Sequence, residues 1–454
     1  MRSTRLCLAL VGLLVLAGAA QAIAAEPAGE PFFPRAGSHA YDVSDYSVRL
    51  AYEPQRGGRV RAAVRIIATA NRQLDGFSFD FVGPRVTGVQ VGGRAVEFDR
   101  DGGKLGVFPD RPIPKGREFT TTVRYRGVPP KVIDPDGTEE GWYPTDDGVI
   151  AVGEPQGTAA WIPCNNVPWD KATFLFEVDL PARLRAVANG RQEPVERSGS
   201  HARYTWWERA PMSPYLAMLN IGRGQIVKGR AGKIPTWTLI DPRMQAARKP
   251  LAALPEVIRF EAGVFGNYPF ESAGSVVDYA PSLGYALESQ SRPIYAYVPD
   301  VTTIVHETAH QWFGDSVGLE RWPQIWLNEG FATWAQWYYA ERHGGRTAQA
   351  IFNRLKKVPA SNRGFWNPPP ARLGRAKDIF DPTVYVRGAM AVQALRQEIG
   401  TKPLLHLLRR WTTEHRHGNA TIGRFTELAE EVSGRDLADL FHRWLYRPGK
   451  PGAE

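Results

Sequence analysis

Residues 301–331 read "VTTIVHETAHQWFGDSVGLERWPQIWLNEGF", and they set His306, Glu307, His310 and Glu329 among apolar and aromatic neighbours. His306 and His310 are four apart, so on a helix they project from one face, with Glu307 one residue round from the first. Asp300 is placed to cap such a helix, and Ile304, Val305, Trp312 and Phe313 to pack it. Neutral imidazoles at this spacing suit zinc, which in catalytic sites takes three protein ligands and keeps one position open. The third ligand has to come from further along the chain. In "WLNEGFATW" a loop hands over to a second amphipathic helix able to lie against the first, and the Glu329 carboxylate there completes a set of two histidines and one glutamate for one zinc ion per chain. Trp312, Trp322, Trp326, Trp334 and Trp337 read as core packing rather than as binding groups.

Around this stretch the chain is globular. It has 454 residues, 43% of them hydrophobic, with Gly and Pro spread along its length and no low-complexity block, enough for two or three domains. A formal charge of +9 is diffuse: no Lys/Arg run, zinc-finger spacing or basic-aromatic stripe points to nucleic acid. Residues 1–25, within "MRSTRLCLALVGLLVLAGAAQAIAAEP", join two arginines to an apolar run and then to small residues of the A-x-A kind. That is a signal peptide cut near Ala22 or Ala25, so an exported protein, periplasmic or secreted, is expected. The apolar run is shorter than the roughly 20 residues of a spanning helix, so no stable membrane span is expected in the mature chain. Cys7 leaves with the signal. Cys164 is then the one remaining cysteine, which excludes an internal disulfide and reads as an inert buried thiol.

Residues 38–228 have period two. Phe77, Phe79 and Phe81 alternate with polar partners, as do Val123 and Tyr125, and Phe174, Phe176, Val178 and Leu180; turn-rich stretches such as "RDGGK" separate the runs. An N-terminal domain of antiparallel β-sheet follows. Over residues 229–454 the period lengthens to that of helices, several of which stop at Gly, and a Pro-rich loop, "VPASNRGFWNPPPARLGRAKDIFDP", is expected to border a cleft. The fold class is therefore a β-sheet domain followed by an α+β domain.

"HETAH" followed at this interval by "NEGFATW" resembles the gluzincin aminopeptidases, the zinc family that includes aminopeptidase N. "WIPCNNVPWDKATFLFEV", "EVIRFEAGVFGNYPF" and "SGRDLADLFHRWLYRPGKP" are similar to further family segments. The resemblance implies a saddle-like sheet domain and a thermolysin-like catalytic domain with the site in the cleft between them. It also implies functional positions. "GYALESQ" stands where the family has Gly-Ala-Met-Glu-Asn, with Tyr285 and Ser289 departing from the usual Gly and Asn, and makes Glu288 a substrate-binding carboxylate. "GEPQGTAAWIPC" does the same for Glu154. Tyr385, in "VYVRGAM", matches the catalytic tyrosine, with Arg387 in place of a Lys. Family members commonly continue into a helical domain that roofs the cleft, whereas this sequence stops at Glu454, so a more open site is expected.

The activity so implied is release of N-terminal residues from peptides with a free amino terminus. Glu307 serves as general base toward water at the zinc, Tyr385 stabilises the oxyanion, and Glu154 and Glu288 hold the α-ammonium. Two other readings stand beside it: a thermolysin-type endopeptidase, sharing zinc and base without the amine clamp, and a non-catalytic peptide-binding module on the same fold.

Overall fold

A computed structural model describes residues 28–452 of the chain; the expected signal peptide lies outside the described residues. A nine-stranded sheet dominates the first half. Its central strands, Tyr41–Glu53, Arg59–Ala70, Glu118–Gly127 and Ala172–Pro181, bury alternate residues, as a sheet covered on one face should. Most pairs are antiparallel. Tyr41–Glu53 and Ala172–Pro181 instead run parallel, with Tyr46 opposite Phe174 and their rings stacked at 4.7 Å. Alternation cannot report this, because period two fixes the face of a side chain and not the direction of its neighbour strand.

The run at Phe77–Asp80 departs from simple alternation, since all four residues are buried. It pairs with Lys104–Phe108 in a separate three-stranded sheet, and Asp80 meets Lys104 at 2.6 Å and the Gly37 amide at 2.7 Å. Its polar face is thus covered but paired. A five-stranded sheet of Lys131–Ile133, Glu139–Pro144, Val149–Val152, Leu219–Gly222 and Arg185–Ala188 carries the loops that reach the site.

The second half is built on another five-stranded sheet, ordered Gln225–Ala231, Ile234–Ile240, Ala273–Val277, Ile294–Tyr295, Ala286–Leu287. Strand Gln225–Ala231 runs through the expected junction at residue 228, so the break between the two sheets falls near Arg223–Gly224. The sequence continues its two-residue period across this point, which hides the change of sheet. Six longer helices follow: α1 (Leu254–Phe265), α2 (Val301–Ala309), α3 (Trp326–Arg342), α4 (Pro382–Ile399), α5 (Thr401–Glu414) and α6 (Ile422–Ser433). Helices α1, α4 and α6 each end at a glycine with positive φ. All five tryptophans named above are buried. Among the described residues no helix is long and apolar enough to cross a membrane.

The two halves interlock. The Lys171 ammonium donates to the carbonyls of Asp315 at 2.8 Å, Gly418 at 2.9 Å and Ser316 at 3.0 Å, tying the large sheet to the turn that follows the paired histidines. Glu30 accepts from the Trp322 amide, and the Asn189 side chain donates to the Gln290 carbonyl. Arg387, fully buried in α4, donates to the carbonyls of Trp366, Arg443, Trp444, Arg447 and Gly449, so the Pro-rich loop and the C-terminal segment both hang on that helix.

Helices α3 and α4 touch through backbone. A Cβ built on Gly388 would lie 3.0 Å from the Gly330 Cα, and one built on Gly330 would lie 3.0 Å from the Gly388 carbonyl carbon. Backbone cannot yield as a side-chain tip can. Gly388→Ala should therefore destabilise the fold by about 1–3 kcal/mol, the range for overpacking a well-filled interior. A urea-unfolding midpoint equal to that of the parent would contradict this close contact.

Candidate metal-dependent active site

Helix α2 starts at Asp300, whose Oδ1 accepts from the Thr303 amide at 2.7 Å, and this cap fixes the register that brings His306 and His310 to one face. His310 closes the helix, its Nδ1 lying 3.1 Å from the Phe313 carbonyl. An Nδ1–H donating there leaves Nε2 bare to act as a ligand. Glu329 comes from the first turn of α3, and its Oε2 stands 3.1 Å from His306 Nε2 and 3.3 Å from His310 Nε2. Donors about 2.0 Å from one tetrahedral ion are separated by about 3.3 Å, so the three atoms fit a zinc ion. Burial pushes the Glu329 carboxyl up, but the two histidines outweigh it and hold the group at about 2, so it is ionised at any ordinary pH.

Around these donors stand three more buried carboxyls. Glu307 projects from α2 with Oε2 lacking any hydrogen-bond partner, and a donor atom of it lies within 4.8 Å of ones from Glu288 and His310. Glu288 follows strand Ala286–Leu287 and leaves Oε1 unpartnered; Glu154 follows strand Val149–Val152 and does the same. Burial pushes all three carboxyls up. For Glu154 the charges of Glu288 and Glu329 add to that push, whereas His310 partly offsets it for Glu288 and Glu307. Tyr385, in the first turn of α4 behind the Asp381 cap, lays its ring nearly parallel to that of His306, centroids 6.1 Å apart. All seven residues chosen from the sequence line one cavity of about 210 Å³, together with Tyr285, Phe380, Asp136 and Thr138. Phe380 belongs to the Pro-rich loop, which thus contributes to the wall of the cavity.

Two supporting residues were not legible in the sequence. Gln311 follows His310 directly; its amide nitrogen donates to the Glu288 carbonyl at 3.0 Å while its oxygen accepts from the Ser291 amide at 2.6 Å. The Glu288 segment is thereby pinned to α2. Glu140, fully buried, accepts from the Gln156 amide at 2.9 Å and holds the loop just past Glu154. Gln311 carried no charge to draw notice, and Glu140 looked like one acid in a turn-rich, polar stretch.

A sheet-domain-plus-helical-domain fold with two histidines and a distant glutamate converging beside a non-ligand glutamate is the arrangement that the resemblance to gluzincins implies. Residues 285–444 match the family described as the peptidase family M1 domain. The whole chain is similar to the crystal structure of an M1 zinc metallopeptidase from Deinococcus radiodurans, with TM-score 0.82 and 26% identity over 94% of this chain and 99% of that one. A mutant form of that enzyme bound to a Tyr-Ser-Ala substrate matches with TM-score 0.80. Among curated relatives, a probable aminopeptidase 2 of Sulfurisphaera tokodaii is 23% identical over 82% of this chain and 50% of its own length. A leucyl aminopeptidase of Saccharolobus solfataricus is 25% identical over 82% and 49%. The chain spans about half the length of these curated relatives.

The donor geometry separates holding the metal from using it. Purified protein should contain one zinc per chain by elemental analysis; Glu329→Ala should lose most of it, and Glu307→Gln should keep it. Full zinc occupancy in Glu329→Ala would remove that carboxylate from the ligand set.

Proposed function

We propose that this chain is a zinc-dependent aminopeptidase that releases the first residue of peptides with a free amino terminus. The observation that carries the reading is the pair of buried carboxyls, Glu154 and Glu288, each with an oxygen lacking a partner, in the cavity that holds the metal donors. A peptide's α-amino group has a pKa near 7.7–8, so much of it is charged at neutral pH, and it can satisfy both oxygens at once. With the ammonium fixed there, the first peptide bond is the one presented to the metal donors and Glu307.

Zinc, when held by His306, His310 and Glu329, supplies Lewis acidity and lowers the pKa of a water from near 16 to about 7. Glu307, buried and not a ligand, takes a proton from the attacking water and returns one to the leaving amine. The Tyr385 hydroxyl donates to the former carbonyl oxygen as negative charge gathers on it. Burial, reinforced by Glu329 and the other acids, pushes that hydroxyl's pKa up, so it keeps its proton.

An endopeptidase shares the zinc and the base but has no use for two further buried acids, each with an oxygen that accepts no hydrogen bond, and a binding module has no use for Glu307. Export through the N-terminal signal, to the periplasm or beyond, is part of the same proposal; it rests on the composition of residues 1–25. Nucleic acid is not among the proposed partners.

The decisive experiment compares a free-amine dipeptide with its N-acetyl counterpart. The first should be cleaved and the second not, and Glu288→Ala should sharply lower kcat/KM on the first while leaving zinc content intact. Efficient cleavage of the acetylated peptide at the same bond would establish the endopeptidase instead. Tyr385→Phe should lower kcat by about 10²–10³ with KM little changed, the usual effect of removing a preorganised oxyanion donor. A loss below about threefold, that of an ordinary exposed hydrogen bond, would assign the oxyanion to another group.

A further inference from the structure

We infer that the pocket beside the amine clamp selects a basic first residue, arginine or lysine, and that Asp136 is its specificity-determining residue. The inference rests on the aminopeptidase reading and adds the substrate class. If the ammonium sits between Glu154 and Glu288, the first side chain must lie along the part of the cavity not occupied by metal donors, base or oxyanion donor. That part is lined by Tyr285, Phe380, Asp136 and Thr138.

Tyr285 joins the two ends of this wall. It directly precedes strand Ala286–Leu287, which leads to Glu288, and its hydroxyl donates to the Glu139 carbonyl at 2.8 Å. Its ring therefore spans from the clamp to the hairpin joining Lys131–Ile133 and Glu139–Pro144. Asp136 lies in that hairpin's turn. Its Oδ1 accepts from the Thr138 amide at 2.9 Å and the Thr138 hydroxyl at 2.8 Å, which holds the carboxylate in place and leaves Oδ2 without a hydrogen bond among the described residues. Among the described residues no Lys or Arg lines the cavity. The nearby Lys131 is paired with Glu139 at 2.7 Å and lies over the Tyr143 ring. A long cationic side chain can rest its methylenes on Tyr285 and Phe380 and bring its head to Asp136, whereas a leucine gains the ring contact alone.

The test uses the zinc-loaded full chain and aminoacyl coumarin amides carrying arginine, lysine, leucine or glutamate. The parent should show higher kcat/KM on arginyl and lysyl than on leucyl substrate, and added salt should shrink that advantage. Asp136→Asn preserves the acceptor for Thr138 and removes the charge. It should lower the arginyl-to-leucyl ratio about three- to fivefold, the upper range for a contact open to solvent. Asp136→Lys should lower the ratio further and raise relative turnover of the glutamyl substrate. A parent that prefers leucyl substrate, or a ratio unmoved in both variants, would overturn the inference while leaving the aminopeptidase standing. Turnover of none of the four would overturn the aminopeptidase and this inference together.

Discussion

Four carboxyls, Glu154, Glu288, Glu307 and Glu329, are buried around one small cavity, and only two imidazoles in it can answer them. Burying a carboxylate without a partner costs several kcal/mol, so a fold that gathers four must either protonate some or recruit positive charge. Glu329 is met by the histidines and by the metal those donors fit. Glu307, Glu154 and Glu288 remain; in the proposed function Glu307 takes a proton from the attacking water, and a cation brought by the substrate relieves the other two. In the proposed function recognition and catalysis thus depend on the same electrostatic deficit, and the remainder of the molecule has to keep these acids from relaxing away from one another.

How it does so follows from where each acid is anchored. His306, Glu307 and His310 share one capped helix, Glu329 stands on a second, Glu288 on a strand edge, and Glu154 on a loop of the other half of the chain. Every anchor has a brace. Gln311 bonds both sides of the Glu288 segment, Glu140 holds the backbone beyond Glu154, and the contact of Gly330 with Gly388 sets the spacing between the Glu329 helix and the Tyr385 helix. Lys171 and Asn189 then fasten one half to the other, so that Glu154 is delivered to metal donors, base and tyrosine that all lie beyond residue 280.

Legibility in the sequence divided along the same line. Residues whose chemistry is local, such as the histidines four apart with the Asp300 cap, could be read from spacing, because helix geometry turns sequence distance into spatial distance. Glu329 needed only the added idea of a second helix. Glu154 and Glu288 had no local signature and were reachable through family resemblance alone; their neighbourhood is made by tertiary contacts between segments more than 130 residues apart. The braces were invisible for a plainer reason. Gln311 and Glu140 act through backbone amides and carbonyls, which every residue carries, so nothing in the side-chain pattern announces the partner. Sheet order failed similarly: alternation told which residues face the core, but neither the parallel pairing of Tyr41–Glu53 with Ala172–Pro181 nor the change of sheet near Arg223.

This division also bears on how such a site can vary. The metal donors and Glu307 sit on α2 and α3, and α3 packs backbone to backbone against α4, where small displacements are costly and the geometry is held within narrow limits. The wall proposed to meet the substrate's first residue is different: Tyr285 directly precedes a two-residue edge strand, and Asp136 and Thr138 occupy an exposed hairpin turn. Substitutions there need not disturb the core, because the hairpin's hold on the clamp runs through the Glu139 carbonyl and the buried Glu140 rather than through its tip. On the proposed reading, the chemistry is placed on the rigid part of the fold and the choice of substrate on a part that can change without unfolding it.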